Sequence, residues 1–352
     1  MSRVLIVKFG AIGDVIMALP AVHALHSKGA EIEWVCGSAV APLLVCYPWI
    51  RLIVADDRAI LQGTPGQRLR ALVKLWRTIG RCKYDHCVTL YYDTRYKFLT
   101  LPVRARRKVM LSWIERERRL LPTRSHYDEY ARILLNEEDT YRPESVAPIR
   151  PEHLPPCPLP KRERAVRVGI VPGGASNILR QQTLRRWPVA GYSELTRELL
   201  RRGYEVVLLG GPDDAWVRSE FQGLEVIDAI GGLSLPEVVS ACDTCDVVVS
   251  HDTGPMHLAG LSYALLVGLF GPTDPGSFLP RREGVRGIWG GEGFACRPCY
   301  DGRNFAPCLD NGCMQQITAS MVIRQIDALL AERKSGKMRS QLVVLPSSVE
   351  PL

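Results

Sequence analysis

The sequence contains no apolar run that approaches the roughly 18 residues needed for a membrane-spanning helix. Lys8 and Asp14 interrupt its apolar N-terminal stretch, and no small-x-small cleavage motif follows, so we predict no secretory signal peptide. Low-complexity tracts are also absent from its 352 residues, of which 46% are hydrophobic. These absences predict a soluble, cytoplasmic protein that is long enough for two hydrophobic cores, with its 11 cysteines as thiols or metal ligands.

Acidic residues are in the minority, because 37 Asp and Glu stand against 45 Lys and Arg, a net charge of +8. The basic excess is concentrated between Arg104 and Arg124, where eight basic side chains accompany Glu115 and Glu117. Such a cluster favours a polyanionic partner, which includes nucleic acid, an anionic membrane surface and a phosphorylated glycan. A solvated face is the alternative. No zinc-finger, helix-turn-helix or RNP motif is present, which weakens the prediction of a nucleic-acid partner.

Short β-branched segments alternate with amphipathic helical segments, a pattern that predicts parallel sheets covered by helices. The pattern begins with VLIVKF, stops in the proline-rich stretch PESVAPIRPEHLPPCPLP and restarts at VRVGIV. We therefore predict an α/β protein with two Rossmann-like parallel-sheet domains that face a cleft. The predicted boundaries are an N-terminal domain at 1–150, a linker at 151–165, a C-terminal domain at 166–333 and a mobile tail at 334–352.

The turn after the first strand, GAIGDVIMALPA, fits neither common nucleotide-binding fingerprint. It lacks the third glycine of a dinucleotide loop, and Asp14 stands where a phosphate-binding loop has lysine. A carboxylate at the start of a helix is stabilised in its charged form by the helix dipole. Asp14 is therefore a candidate general base, and a helix cap is the alternative interpretation.

Four polar or glycine-rich turns follow strands of the second half: VPGGASN, LLGGPDD, SHDTGPMHLAG and GLFGPTDP. The third of these opens a helix, whose backbone N–H groups can hold an anion. It also supplies Asp252, Thr253 and His257, although a histidine packed in the core is the alternative for His257. Four such turns at strand ends of one domain predict a ligand site.

Taken in order, GAIGDVIMALPA, RRWPVAGY, LLGGPDD, HDTGPMHLAG and LFGPTDP resemble the ADP-heptose heptosyltransferases of glycosyltransferase family nine. The resemblance covers roughly Val4 to Leu330 and implies the two-domain glycosyltransferase-B fold. It implies that the N-terminal domain faces the acceptor and that the C-terminal domain holds the nucleotide-sugar. The implied activity is transfer of heptose from ADP-heptose, with inversion, to a hydroxyl of a lipopolysaccharide core glycan or a protein.

The resemblance also implies roles for individual residues. The catalytic aspartate falls on Asp14, next to Gly13. Arg185 takes the position of a pyrophosphate-binding lysine, and Asp213 takes the position of an acid that contacts the ribose. The remaining substrate-binding positions are Ser176, Asp252, Thr253, Gly254 and His257.

The family resemblance implies an ADP-sugar donor as partner, no organic cofactor and no need for nucleic acid. The basic segment in the acceptor-facing half is compatible with peripheral contact with the inner membrane, and a homo-oligomer is compatible with the sequence. Two other functions stay open: a nucleotide-sugar 2-epimerase on the same fold, and a non-catalytic protein that binds nucleotide or nucleic acid. An Asp14→Ala variant with unchanged activity would favour the epimerase, because that enzyme needs no base in the first loop.

Four cysteines lie in one loop at the spacing C-x2-C-x8-C-x4-C, within residues 296–313. In a cytoplasmic protein, four thiolates this close in sequence can close a tetrahedral site around zinc or iron. The alternative is four reduced thiols that pack the loop. We predict a structural metal held by Cys296, Cys299, Cys308 and Cys313, and we predict that Cys242 and Cys245 are buried core residues.

Overall fold

The chain divides into two compact units, Met1–His153 and Leu154–Leu352. The computed structural model describes residues 2–91, 93, 95–111, 125–135, 147–176, 181–300, 304–338 and 343–346. Each unit contains one parallel β-sheet with helices between its strands, which confirms the predicted α/β class. Residues 147–160 of the proline-rich stretch, and 161–166 after it, form neither helix nor strand. No helix in the described part of the chain is both long and apolar enough to cross a bilayer.

The sheet of the N-terminal unit has five parallel strands in the order β3-β2-β1-β4-β5. They are β1 (Arg3–Val7), β2 (Glu31–Gly37), β3 (Ile50–Ala55), β4 (Lys83–Thr89) and β5 (Arg104–Met110). The described helices of this unit are α1 (Ile12–Ser27), α2 (Ala41–Leu44), α3 (Asp57–Gln62), α4 (Pro65–Ile79), α5 (Tyr96–Leu99) and α6 (His126–Leu135). Thr64 starts α4 with a capping box, in which its hydroxyl oxygen accepts from the Gln67 backbone N–H.

The basic segment 104–124 begins with β5, which is the edge strand of this sheet. Arg104, Arg106 and Lys108 alternate with less exposed residues along it. Charged side chains on an edge strand oppose unwanted pairing with another chain, so they have a structural role as well. Residues 112–124, the rest of the basic segment, lie outside the described residues.

The sheet of the C-terminal unit has seven parallel strands in the order β12-β11-β10-β9-β6-β7-β8. They are β6 (Arg167–Val171), β7 (Glu205–Leu208), β8 (Val226–Asp228), β9 (Val247–His251), β10 (Leu265–Phe270), β11 (Val285–Trp289) and β12 (Val343–Pro346). The three central strands β6, β9 and β10 are buried along their whole length, which explains their nearly continuous apolar sequences.

The described helices of the C-terminal unit are α7 (Val189–Arg201), α8 (Leu235–Asp243), α9 (Gly254–Gly260), α10 (Pro275–Phe278), α11 (Gly312–Gln315) and α12 (Ala319–Ser335). Two 3₁₀ helices, Thr183–Arg185 and Pro212–Phe221, lie among them. Cys242 lies near the end of α8, and Cys245 follows that helix. Both residues are buried, as predicted.

The segment predicted as a mobile tail, 334–352, begins at the end of helix α12 and contains strand β12. Helix α12 extends to Ser335 and ends before Gly336, which has a φ of +65°. Strand β12 then pairs in parallel with β11, with Val343 opposite Arg286. Part of the tail is therefore a regular strand. Its VVLP sequence contains β-branched residues, which favour a strand that adds to the edge of the sheet.

Candidate functional site

Asp14 lies in the first turn of α1, directly after β1, and it forms an ion pair with Lys8. The Lys8 Nζ is 2.7 Å from the Asp14 Oδ2. The Lys8 side chain is completely buried and lies over the Tyr91 ring, 4.7 Å from its centroid, whereas the Asp14 side chain is 20% exposed. The helix cap position is Ala11, so the interpretation of Asp14 as the cap residue is wrong. The carboxylate is instead fixed by a buried cation, with one side open to solvent.

His126 reaches the same carboxylate from α6. Its Nδ1 is 3.8 Å from the Asp14 Oδ1, and its side chain is almost fully buried. Gly13, the other member of the G-D pair, is buried beside Asp14. The two oxygens of Asp14 thus face two different basic side chains, and both come from the N-terminal unit. Such a group can accept a proton while its orientation stays fixed.

In the C-terminal unit, Asp252 directly follows β9 and is buried. Like Asp14, it forms an ion pair with a basic side chain. Its Oδ2 accepts a hydrogen bond of 2.7 Å from the Thr273 hydroxyl and lies 3.4 Å from the Arg185 Nη1. The Asp252 Oδ1 and the Arg185 Nε are buried, and among the described residues neither has a hydrogen-bond partner. Buried polar atoms without partners are uncommon in native proteins, so these two atoms are candidate contacts for a ligand.

The glycine-rich turn after β6 is held against two other strand-end turns. The Gly174 backbone N–H donates to the Asp214 Oδ1 at 2.6 Å, and the Ala175 N–H donates to the Thr253 hydroxyl at 2.8 Å. Gly174 has a φ of +89°, and a Cβ there would lie 2.6 Å from the Thr253 Oγ1, so only glycine fits. The Asp214 Oδ2 also accepts from the Gly211 N–H. Three of the four turns are therefore in contact here, and the hydrogen bond from Thr273 to Asp252 joins the fourth to them.

The remaining predicted site residues differ in how deeply they are buried. Gly254 begins α9, and His257 is buried on that short helix. Asp213 is exposed, and its neighbour Asp214 is the carboxylate that holds the glycine turns. Ser176 is exposed and pairs with Gln181 through an isolated β-bridge. The ribose role of Asp213 and the substrate role of Ser176 stay predictions.

A buried histidine lies next to Asp252. The hydroxyl group of Tyr192 is 3.0 Å from the His251 Nδ1 and also accepts from the His251 backbone N–H. Burial lowers the pKa of His251 to about 3, so the imidazole is neutral at physiological pH. Its Nε2 is buried and has no hydrogen-bond partner in the described part of the chain. After Arg185 Nε and Asp252 Oδ1, it is the third buried polar atom near Asp252 that lacks a hydrogen-bond partner among the described residues.

The four cysteines of the 296–313 loop influence one another electrostatically. The pKa of the Cys313 thiol is raised to about 11, mainly by burial and then by the neighbouring Cys299, Cys308 and Cys296. Cys296 and Cys308 are exposed. Where the chain is described, no three His, Cys, Asp or Glu side chains are arranged to hold a metal ion. The thiols have the right chemistry for zinc or iron, but their positions here do not form the predicted metal site.

Sequence reasoning missed four residues that the structure places at these sites: Lys8, His126, Asp214 and Thr273. Lys8 was visible as a charge that interrupts an apolar stretch, and a buried lysine requires a partner. The motif LLGGPDD contains both Asp213 and Asp214, and the sequence alone does not show which of the two contacts the glycine-rich turns. His126 had no local signal, because its nearness to Asp14 depends on how α6 packs against α1.

Comparisons with known proteins agree with the resemblance. Residues 167–308 match the family described as Glycosyltransferase family 9 (heptosyltransferase). The chain is 30% identical over 162 residues to lipopolysaccharide heptosyltransferase 3 of Escherichia coli, which covers 44% of this chain and 46% of that protein. It is 26% identical over 314 residues to lipopolysaccharide heptosyltransferase 1 of Pseudomonas aeruginosa, which covers 84% and 86%. The chain thus spans less than half the length of the first of these two curated relatives.

Solved structures support the same fold. The glycosyl transferase family 9 protein of Veillonella parvula has a TM-score of 0.73 at 21% identity and covers 94% of this chain and 97% of its own. The iron-containing dodecameric glycosyltransferase TibC of enterotoxigenic E. coli has a TM-score of 0.59 at 17% identity, with coverages of 94% and 77%. Likeness at these identities shows the fold alone, and it confirms the expected glycosyltransferase-B class. Together these comparisons relate the chain to glycosyltransferase family 9, the heptosyltransferases.

Proposed function

We propose that the protein is an inverting glycosyltransferase that moves a heptose from ADP-heptose to an acceptor hydroxyl. The observation that carries this proposal is a set of three buried polar atoms that have no hydrogen-bond partner among the described residues: Arg185 Nε, Asp252 Oδ1 and His251 Nε2. They lie at or beside the strand ends within residues 167–308, the region that matches the family. A guanidinium group, a carboxylate and an imidazole together supply both donors and acceptors for a charged nucleotide.

The donor's diphosphate is assigned to Arg185. Its guanidinium group has planar N–H donors suited to phosphate oxygens, and its orientation is fixed by Asp252. Negative charge develops on the diphosphate as the sugar leaves, and a cation that is already in place stabilises that charge without reorganisation. Asp252, Thr253, Gly254, His257, Asp213 and Ser176 complete the proposed donor site.

Asp14 is assigned as the general base. It takes the proton of the acceptor hydroxyl, whose oxygen forms the new bond to the anomeric carbon. The bond from that carbon to the diphosphate breaks, and ADP leaves with the electron pair. Attack from the face opposite the leaving group inverts the anomeric centre. The ion pair with Lys8 supports this role, because an adjacent cation favours the charged form of a carboxylate.

The acceptor is proposed to be a lipopolysaccharide core glycan or a protein, and the protein is proposed to work in the cytoplasm, with peripheral contact with the inner membrane. The basic side chains of Arg104, Arg106 and Lys108 on the exposed edge strand suit the phosphates of a core glycan. The curated relatives named above are lipopolysaccharide heptosyltransferases. A homo-oligomer also belongs to this proposal, since TibC is described as dodecameric.

The cysteine loop is proposed to bind one structural zinc or iron, for which the spacing of its four thiols is the support. TibC is described as iron-containing. The metal would order the loop, and no step of the transfer is assigned to it. Removal of the metal is therefore expected to change stability before it changes the chemistry.

The experiment that tests the function is an acceptor screen by mass spectrometry. The protein is incubated with ADP-heptose and either core glycans or candidate proteins, and the products are searched for the added mass of one heptose. UDP-N-acetylglucosamine in place of ADP-heptose is the matched donor control. Heptose transfer that disappears in Asp14→Asn supports the proposal. Epimerisation of the control donor, with no transfer from ADP-heptose, would replace it with the epimerase function.

A further inference from the structure

Three aromatic rings surround the guanidinium group of Arg185. Its Cζ lies 5.3 Å from the centroid of Phe278, 5.3 Å from that of Tyr300 and 5.7 Å from that of Phe305. The rings also contact one another, with centroids 6.2 Å apart for Phe278 and Tyr300 and 4.8 Å apart for Tyr300 and Phe305. All three distances to Arg185 are within the range of cation–π attraction. We call Phe278, Tyr300 and Phe305 the aromatic cage.

Two rings of the cage come from the cysteine loop. Tyr300 directly follows Cys299, and an isolated antiparallel bridge joins Tyr300 to Phe305. The backbone N–H groups of Cys299 and Tyr300 both donate to the Pro272 carbonyl oxygen at 3.1 Å. Pro272 precedes Thr273, which donates to Asp252. This part of the loop is therefore attached to the turn that fixes the partner of Arg185.

The other end of the loop is attached to the same arginine segment. The Asn311 side-chain amide Nδ2 donates to the Arg186 carbonyl oxygen at 3.0 Å, two residues before Cys313. The loop thus contacts the Arg185–Arg186 segment through the rings on one side of Cys308 and through Asn311 on the other.

The cage suits a cation that has to bind an anion. The Arg185 side chain is only 13% exposed, so it is largely removed from water. Aromatic faces attract the guanidinium charge without occupying its N–H donors. Among the described residues, the Nε has no hydrogen-bond partner and the guanidinium group contacts one carboxylate, that of Asp252, at 3.4 Å. The guanidinium group is held in place with its donors available.

We propose that Phe278, Tyr300 and Phe305 are positioning residues that hold Arg185 for the donor's diphosphate, which makes the cysteine loop a part of the donor site. This inference rests on the proposed function, because that function assigns the diphosphate to Arg185. The loop then does more than order itself: its two rings determine how tightly the protein binds ADP.

The test measures ADP affinity by calorimetry for the full chain and for Tyr300→Leu and Phe305→Leu. Each cation–π contact contributes about 0.5–2 kcal/mol, so each variant is expected to raise the Kd for ADP about 2- to 30-fold. Tyr300→Phe keeps the ring and is expected to restore the affinity. Phe294→Leu is the matched control, because Phe294 is an exposed aromatic residue just before the loop and outside the cage.

A double-mutant cycle separates positioning from a general loss of structure. In an Arg185→Ala background, Tyr300→Leu is expected to leave the remaining ADP affinity unchanged, because the ring acts through the guanidinium group. An equal loss in both backgrounds would overturn the inference, as would wild-type affinity in both ring variants. A wild-type protein that does not bind ADP at all would instead reject the donor assignment of the proposed function, and the inference with it.

Discussion

Replacement of Asp14 by asparagine is expected to destabilise the N-terminal unit because it leaves the buried ammonium group of Lys8 without its carboxylate. The Lys8 side chain is 0% exposed, and its Nζ lies 2.7 Å from the Asp14 Oδ2. Removal of one partner of a buried ion pair costs about 3–5 kcal/mol. The Asp14 side chain is one-fifth exposed and the Tyr91 ring stays 4.7 Å from the ammonium group. We therefore expect the lower end, a loss of about 3 kcal/mol in the free energy of unfolding.

The same substitution is expected to lower turnover by about two to four orders of magnitude, the usual effect of losing a general base. Stability and catalysis can be separated with Lys8→Met added to Asp14→Asn. Methionine is long, unbranched and apolar, so it fills much of the space of the lysine stem without its charge. The double variant is expected to regain most of the lost stability, because the buried ammonium group is removed together with its carboxylate partner. Its turnover should stay as low as in the single variant.

Urea unfolding followed by fluorescence gives the stability of each variant, and release of ADP in the presence of acceptor gives the turnover. Asp56→Asn is the matched control. Asp56 is the N-cap of α3, and asparagine caps a helix equally well. A double variant that is no more stable than Asp14→Asn would refute the ion-pair argument. Turnover of Asp14→Asn within a few-fold of wild type would refute the assignment of the base.

Three further predictions concern the C-terminal unit. Arg185→Ala is expected to weaken ADP binding by about 1.5–3 kcal/mol in calorimetry, and Asp252→Ala and His257→Ala are expected to weaken it too. Wild-type ADP affinity in all three variants would refute the assignment of the donor site. Below pH 6.5 the unfolded chain protonates His251 while the folded chain, with a pKa of about 3 at this residue, does not, so stability should fall by about 1.4 kcal/mol per pH unit down to about pH 3. Urea titrations at about pH 6.5 and pH 5 should show this slope in wild type and a smaller one in His251→Asn. Elemental analysis of untagged protein is expected to find one zinc or iron per chain at residues 296–313, and less than about a tenth of an equivalent would contradict the metal prediction.

The sheets and the meeting of the strand-end turns were predictable because both depend on local signals. A fully buried parallel strand has to be apolar, as VRVGIV and ALLVGLFG are, and parallel strands bring their carboxyl ends to one edge. The residues that follow those strands therefore had to approach one another. The contacts of Ala175 with Thr253 and of Gly174 with Asp214 are the result.

The partners of the charged site residues were not predictable, since they depend on packing between distant segments. His126 reaches Asp14 from 112 positions away in sequence, through the packing of α6 on α1. Two of the three rings around Arg185 come from a loop whose cysteines were the only visible signal. The tail was predicted to be mobile from its composition. The strand pairing of Val343 with Arg286 depends on an open sheet edge, which composition does not reveal.

The two charged pairs have the same construction with opposite exposure. In the N-terminal unit the cation is buried and the carboxylate is the exposed member, at 0% for Lys8 and 20% for Asp14. In the C-terminal unit the carboxylate is buried and the cation is the more exposed member, at 2% for Asp252 and 13% for Arg185. The buried partner in each pair fixes the charge and orientation of the group that solvent and ligand can reach. In the proposed function, that group accepts a proton in the N-terminal unit and binds an anion in the C-terminal unit, and an inverting sugar transfer needs both tasks.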